Sequence, residues 1–192
     1  MKTSDTARKI LDSAQDMIRR RGFGGFSYAD VADQVGIRKA SIHYHFPSKG
    51  ELARELVLRY REQMTARCDA ITRAGGSPRE RLARFAGLYR EGLDDGMICM
   101  CAMLAADLSL LPEWVGEEVQ AFFGQVVEWL RAVLQEGADS GIWKVGSRAR
   151  DEARALLALL QGSQLLARSA SRPAASFDEI VLPALEQRYP PD

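Results

Sequence analysis

From Arg38 to His45 the chain reads Arg-Lys-Ala-Ser-Ile-His-Tyr-His: two cations, a hydroxyl, two imidazoles and a phenol, with no carboxylate among them. Such side chains suit phosphate oxygens and base edges better than a protein core. Metal chemistry fits poorly. His43 and His45 stand two apart, not at the four-residue spacing that sets two histidines on one helix face. The sequence carries no G-x-S-x-G, phosphate-loop or Rossmann fingerprint, so the expectation is a protein without catalysis, metal or cofactor. Three cysteines, Cys68, Cys99 and Cys101, are too few and odd in number for a disulfide framework. Cys99 and Cys101 form a C-x-C, and on an unbroken helix residues two apart point to nearly opposite sides. Two readings stay open for them: a thiol that senses an oxidant or electrophile, or two small apolar residues in a buried helix.

Helices must position these groups, because nearly every segment has helical periodicity and none alternates as a strand would. In the first, from about Asp5 to Arg21, Ala7, Ile10, Leu11, Ala14, Met17 and Ile18 fall on one stripe. A short second helix starts at Ser27, a good N-cap, and stops at Gly36. A third spans about Arg38 to His45, ahead of Pro47. Ser48 caps a long fourth helix carrying Leu52, Leu56, Tyr60, Met64, Cys68 and Ile71, which Gly75 and Gly76 end. Ser77-Pro78-Arg79-Glu80 is a capping box that opens a fifth helix reaching about Gly92. Further helices are expected over about Ile98–Leu108, after Pro112, from about Arg148 to Ala170, and from a second capping box, Ser176 to Glu179. Gly141 to Gly146 reads as a loop, and Pro183 as a disturbance of the last helix. The expectation is an all-α protein of about nine helices.

The second and third helices, joined at Gly36, share Val31, Ala32, Val35, Ile37, Ile42 and Phe46 as a small core. Such a unit is a helix-turn-helix, whose second helix enters the major groove. Here the segment resembles the DNA-binding domain of the TetR family of bacterial regulators. The resemblance covers about residues 5 to 55 and rests on the turn glycine, the run Ser41-Ile42-His43-Tyr44-His45-Phe46, the capping Ser48 and Lys49. His43 departs from the family, where tyrosine is more usual. The resemblance implies that Ser27 and Tyr28 touch phosphate, aided by exposed amides at a helix start. It further implies that Arg38, Lys39 and Ser41 read bases, and that His43, Tyr44 and Lys49 hold the backbone. His45 either joins them or braces the turn.

A head of this kind, residues 1–50, fills one half-site, so residues 51–192 are expected to supply dimerisation and a ligand pocket. By the same resemblance the last two helices pack against their copies as a four-helix bundle. Leu156, Leu160, Gly162, Leu165, Ile180 and Leu185 are the candidates for that interface, or else intrachain core. Phe85, Tyr89, Met100, Met103, Phe122 and Trp129 are candidates to line a pocket for an apolar or aromatic ligand, or else plain core. The expected function is a ligand-responsive regulator, a repressor released from a palindromic DNA operator by a small molecule. The alternative is a cysteine redox or electrophile sensor on the same head.

Bulk properties agree without deciding. The composition, 46% hydrophobic and 27% charged, is that of a soluble globular chain. Net charge is zero, but residues 1–49 carry nine Lys or Arg against five Asp or Glu, and the remainder 17 against 21. A basic N-terminal quarter is the end expected to face nucleic acid. The opening residues lack the apolar core of a signal peptide and no stretch is long enough to span a bilayer, so a cytoplasmic location is expected.

Overall fold

The apolar stripe of the first segment becomes helix α1 (Asp5–Arg21) in a computed structural model that describes residues 5–141, 143 and 148–190. All six stripe residues named above are buried in it. Gly22, at φ +80°, ends the helix, its N–H bonding to the Ile18 carbonyl at 2.9 Å. Helix α2 (Tyr28–Val35) starts at Ser27, whose Oγ accepts the Asp30 N–H while the Asp30 carboxylate accepts the Ser27 N–H. Gly36 closes it in the left-handed conformation that a side chain would strain. Helix α3 (Lys39–His45) follows after two residues. Ser48 and Glu51 then form a capping box, 2.8 and 3.1 Å, at the start of α4 (Lys49–Arg73).

The rest is α5 (Pro78–Arg90), α6 (Met100–Ala106), a 3₁₀ turn (Leu108–Leu110), α7 (Glu113–Asp139), α8 (Ala149–Ala167) and α9 (Pro173–Arg188). The described residues thus contain nine α-helices and no strand, as the periodicity requires. The sixth helix is shorter than expected. Its N-cap, Cys99, is extended at φ −55°, ψ 123°, so Ile98 precedes the helix and Leu108 belongs to the 3₁₀ turn. Of the expected loop Gly141–Gly146, residues 142 and 144–146 lie outside the described residues.

Two compact units result. The first holds the described residues up to Glu62 together with Cys99–Phe122. Ile10, Ala14 and Ile18 of α1, Val31 of α2, Ile42 of α3 and Leu52 and Leu56 of α4 are fully buried in it, as are Met100, Cys101 and Leu104 of α6. The second holds Gln63–Ile98 and the described residues from Phe123 onward, so α4 and α7 each contribute to both. Its core is Phe85 and Tyr89 of α5, Leu130 and Leu134 of α7, Leu156 and Leu160 of α8, and Phe177 and Val181 of α9. The Gln164 amide donates to the Tyr89 carbonyl at 2.6 Å, and the Arg90 guanidinium bonds both oxygens of Asp178, at 2.9 and 2.7 Å.

The last helix corrects the reading of its start. Ser176-Phe177-Asp178-Glu179 does not cap α9, which begins three residues earlier at Pro173, the Ser176 N–H already bonding back to the Arg172 carbonyl. A side chain 80 residues away takes the cap's place, with the Asp94 carboxylate accepting the Ala174 N–H at 3.0 Å. Pro183 lies inside the helix on its exposed side, where the carbonyl it leaves over can be hydrated. Asp94→Ala is therefore expected to lower stability by about 1 kcal/mol, the usual cost of a lost helix cap, measurable as a fall in the denaturant midpoint at unchanged slope.

A candidate nucleic-acid interface

Helix α3 buries one residue, Ile42, at 0% exposure, and that single anchor settles which face turns outward. Arg38, Lys39, His43 and Tyr44 are exposed, and Ser41 and His45 half-exposed. Tyr44 is the extreme case at 85% exposure, a large ring in water that nothing in its own chain requires. It lies edge-on to His45, ring centroids 5.1 Å apart. Exposed cations and aromatic donors on one short helix can bond phosphate and base edges together.

Ser27, expected at a phosphate, is exposed, and its hydroxyl also donates to Asp30 at 2.7 Å as part of the α2 cap. Tyr28 is corrected. It was expected at a phosphate beside Ser27, but it is 6% exposed and its hydroxyl donates to the Phe46 carbonyl at 2.8 Å. Burial, with the charge of Glu51 adding, pushes its phenol up to about 12, so it stays a neutral strut between α2 and the end of α3. The ring of His43 leans on it edge-on at 4.9 Å, and His43 Nδ1 lies 3.4 Å from the Pro47 carbonyl oxygen. The imidazole at the position where the family favours tyrosine is thus held from below and exposed above.

Lys49 also departs from expectation. Its Nζ turns inward and donates to the carbonyls of Phe23 and Phe26, the second at 2.6 Å. Sequence reasoning missed the residue on the other side of that turn, Asp107, whose Oδ2 accepts the N–H groups of Phe23 and Gly24 at 2.6 and 3.2 Å. Nothing local to Asp107 signals a partner more than 80 residues away.

The pocket candidates divide between the units. Phe85, Tyr89 and Trp129 are in the second, where Phe85 stacks on Trp129 at 5.0 Å and contacts Tyr89 at 5.4 Å. The Trp129 indole N–H bonds to Thr72 Oγ1 at 3.1 Å. Met100, Met103 and Phe122 are in the first: Met100 and Phe122 are fully buried, and the Met103 methyl reaches the turn at Gly22. Cys99 and Cys101, 2% and 0% exposed, are buried at the start of α6. Burial, reinforced by the neighbouring Cys99, holds the Cys101 thiol well above the ordinary thiol range.

Of the interface candidates, Leu156, Leu160 and Leu185 are 3%, 1% and 7% exposed and pack into the chain's own core, with Leu156 and Leu185 also reaching the groove between α8 and α9. Gly162 and Ile180 are half-exposed, and Leu165 is 57% exposed. Periodicity could not separate the two sides of so apolar a helix. The accessible stripe on α8 runs through Ala155, Ala158, Leu159, Gly162, Leu165 and Leu166.

Comparison with known proteins bears on the same segment. The family profile described as "Bacterial regulatory proteins, tetR family" matches residues 10–56, from α1 into α4. A transcriptional regulator of the TetR family from Agrobacterium tumefaciens is 38% identical, covers 96% of this chain and 97% of its own, and superposes with a TM-score of 0.89. A TetR transcriptional regulator from Legionella pneumophila is 29% identical over 97% of this chain and 98% of its own, at a TM-score of 0.86. The HTH-type transcriptional repressor KstR2 of Mycobacterium tuberculosis is 34% identical over 74 residues, which span 38% of this chain and 37% of that repressor.

Proposed function

The chain belongs to the TetR family of bacterial regulatory proteins, a DNA-binding transcriptional regulator, and we propose that it works as a homodimeric repressor released from a palindromic operator by a small molecule. The observation that carries the proposal is the outward face of α3. Arg38, Lys39 and Ser41 read bases there, while Ser27, His43, Tyr44 and His45 hold the backbone. Residues 1–50 are the reading head and residues 51–192 the ligand-binding and dimerising part. One head contacts too little DNA to be selective, and two heads about 34–36 Å apart span one turn of the duplex. The accessible stripe of α8, with Ile180 and Leu182 of α9, supports a helix-on-helix dimer. The groove of about 480 Å³ between α8 and α9, lined by Ala155, Leu156, Leu159, Ala184 and Leu185, offers a seat for a partner helix.

The effector site belongs to the second unit, around Phe85, Tyr89 and Trp129. Gln161 of α8, in the same unit, supports a polar anchor: its amide oxygen and nitrogen are both buried without a hydrogen-bond partner among the described residues. A buried amide of this kind costs about 1–3 kcal/mol unless something pairs with it. A mainly apolar ligand with one donor–acceptor edge would do so. No helix among the described residues is long and apolar enough to cross a membrane, in keeping with action on DNA in the cytoplasm. The family is one of bacterial regulatory proteins.

Titration against a pool of genomic fragments, including the chain's own upstream region, tests this directly. Retention of a palindromic site at physiological salt is the expected result. Weak binding that vanishes with salt, even after the protein is stripped and reduced, would sink it. The thiol-sensor reading has less support, because both thiols are buried and the Cys101 thiol, held protonated by that burial, is a poor nucleophile. Replacing Cys99 and Cys101 together by serine is expected to leave operator binding and its sensitivity to mild peroxide unchanged, as read by gel shift. Loss of a peroxide response in that variant would favour the sensor.

A further inference from the structure

The turn joining α1 to α2 is gripped from both sides by side chains of other helices. On its donor side, the Asp107 carboxylate at the end of α6 takes the N–H groups of Phe23 and Gly24, at 2.6 and 3.2 Å. On its acceptor side, the Lys49 ammonium bonds to the Phe23 and Phe26 carbonyls. That ammonium also lies over the rings of both phenylalanines, 4.4 and 4.1 Å from their centroids. Burial lowers the Lys49 pKa, and the charges of Asp107 and Asp30 oppose the loss. The turn itself is bare where the α6 end presses on it. A Cβ on Gly22 would stand 2.6 Å from Asp107 Oδ2 and 3.5 Å from the Met103 methyl, and one on Gly24 would stand 3.2 Å from Leu110. Gly22 also has φ +80°.

We propose that Lys49 and Asp107 are positioning residues, a two-sided clamp that fixes the turn of residues 22–26 and ties the reading head to the end of α6. The proposal rests on the regulator reading for what the clamp serves. It reassigns Lys49, which the family resemblance implies is a phosphate contact. An ammonium spending two of its three donors on carbonyls between two rings is committed inside the protein, unlike the exposed Lys39. Because Asp107 terminates α6, any displacement of that helix end pulls on the Phe23 and Gly24 amides. The clamp is thus one point at which α6 acts on the head, beside its packing against α1.

Two measurements on Lys49→Met, Asp107→Ala and Asp107→Asn test this. The first needs no DNA. Exchange of the Phe23 and Gly24 amides, followed by NMR, is expected to rise at least about tenfold in Lys49→Met and Asp107→Ala. It should rise less in Asp107→Asn, which keeps an acceptor oxygen, and α8 and α9 amides should not change. The second uses the duplex that the wild-type chain retains from the genomic pool. Affinity is expected to fall about tenfold in Lys49→Met with the slope of log K against log salt unchanged, whereas a lost phosphate contact would reduce that slope by about 0.9 per head, about 1.8 for the dimer. Asp107→Ala makes the sign decisive. Removing a negative charge should tighten DNA binding by electrostatics alone, and the clamp requires it to weaken. Unaltered exchange at Phe23 and Gly24, a shallower salt slope in Lys49→Met, or equal or tighter binding by Asp107→Ala would each overturn the proposal. If the wild type retains no duplex, the regulator reading fails, and the exchange data still decide the clamp.

Discussion

Replacing Leu165 and Leu166 together by glutamate is expected to produce a folded monomer that binds operator at least about a thousandfold more weakly than the parent. Both side chains lie on the outer face of α8, 57% and 65% exposed, so the chain's own core does not need them. Charges there cost the single chain little, whereas burying four carboxylates across a two-fold axis is prohibitive. The magnitude follows from the arithmetic of two heads. Specific complexes of this class bind at about 10⁻⁸ to 10⁻¹¹ M, and one head retains about half of that free energy. Light scattering reads the mass and a titration the affinity. A variant that stays dimeric would move the interface away from α8, and a monomer with undiminished affinity would remove the need for a dimer.

The second large effect is expected at Lys39. Lys39→Ala should reduce operator affinity by about 1–3 kcal/mol per head. A symmetric dimer loses this twice, so the total is roughly 30-fold to 10⁴-fold. Affinity for unrelated duplex should fall far less, because that binding counts phosphates only. Lys39 opens α3, is exposed, and lies three residues before the buried Ile42 that sets the helix's rotation. A uniform loss on every duplex, with a shallower salt slope, would reassign Lys39 to the backbone. Full retention of affinity would take the base-reading face away from the start of α3.

Much of the fold was legible because its signals are local. The α1 stripe, the Ser27, Ser48 and Ser77 caps and Gly36 each act within four residues, through hydrogen bonds and backbone conformations that the residue types dictate. The α3 face was legible for the same reason, since one buried isoleucine fixes where its neighbours point. The Ser176 box misled because it is locally as good as the others. Asp94 offered a better-placed carboxylate, and only the folded chain brings it to Ala174.

Residue types and short spacings were thus enough for an all-helical chain with a helix-turn-helix near its start and a cationic, aromatic helix to set against DNA. They could not say that Tyr28 is a buried strut, that Lys49 faces two carbonyls, or which leucines of α8 look outward. Those outcomes depend on residues beyond the local turn: Phe46, 18 positions on, for Tyr28, the turn of residues 22–26 for Lys49, and the next helix, α9, for α8. A side chain's chemistry is a property of its type, but its partner is a property of the packing. Packing is settled by many weak long-range contacts at once, and these leave no periodic trace in the chain.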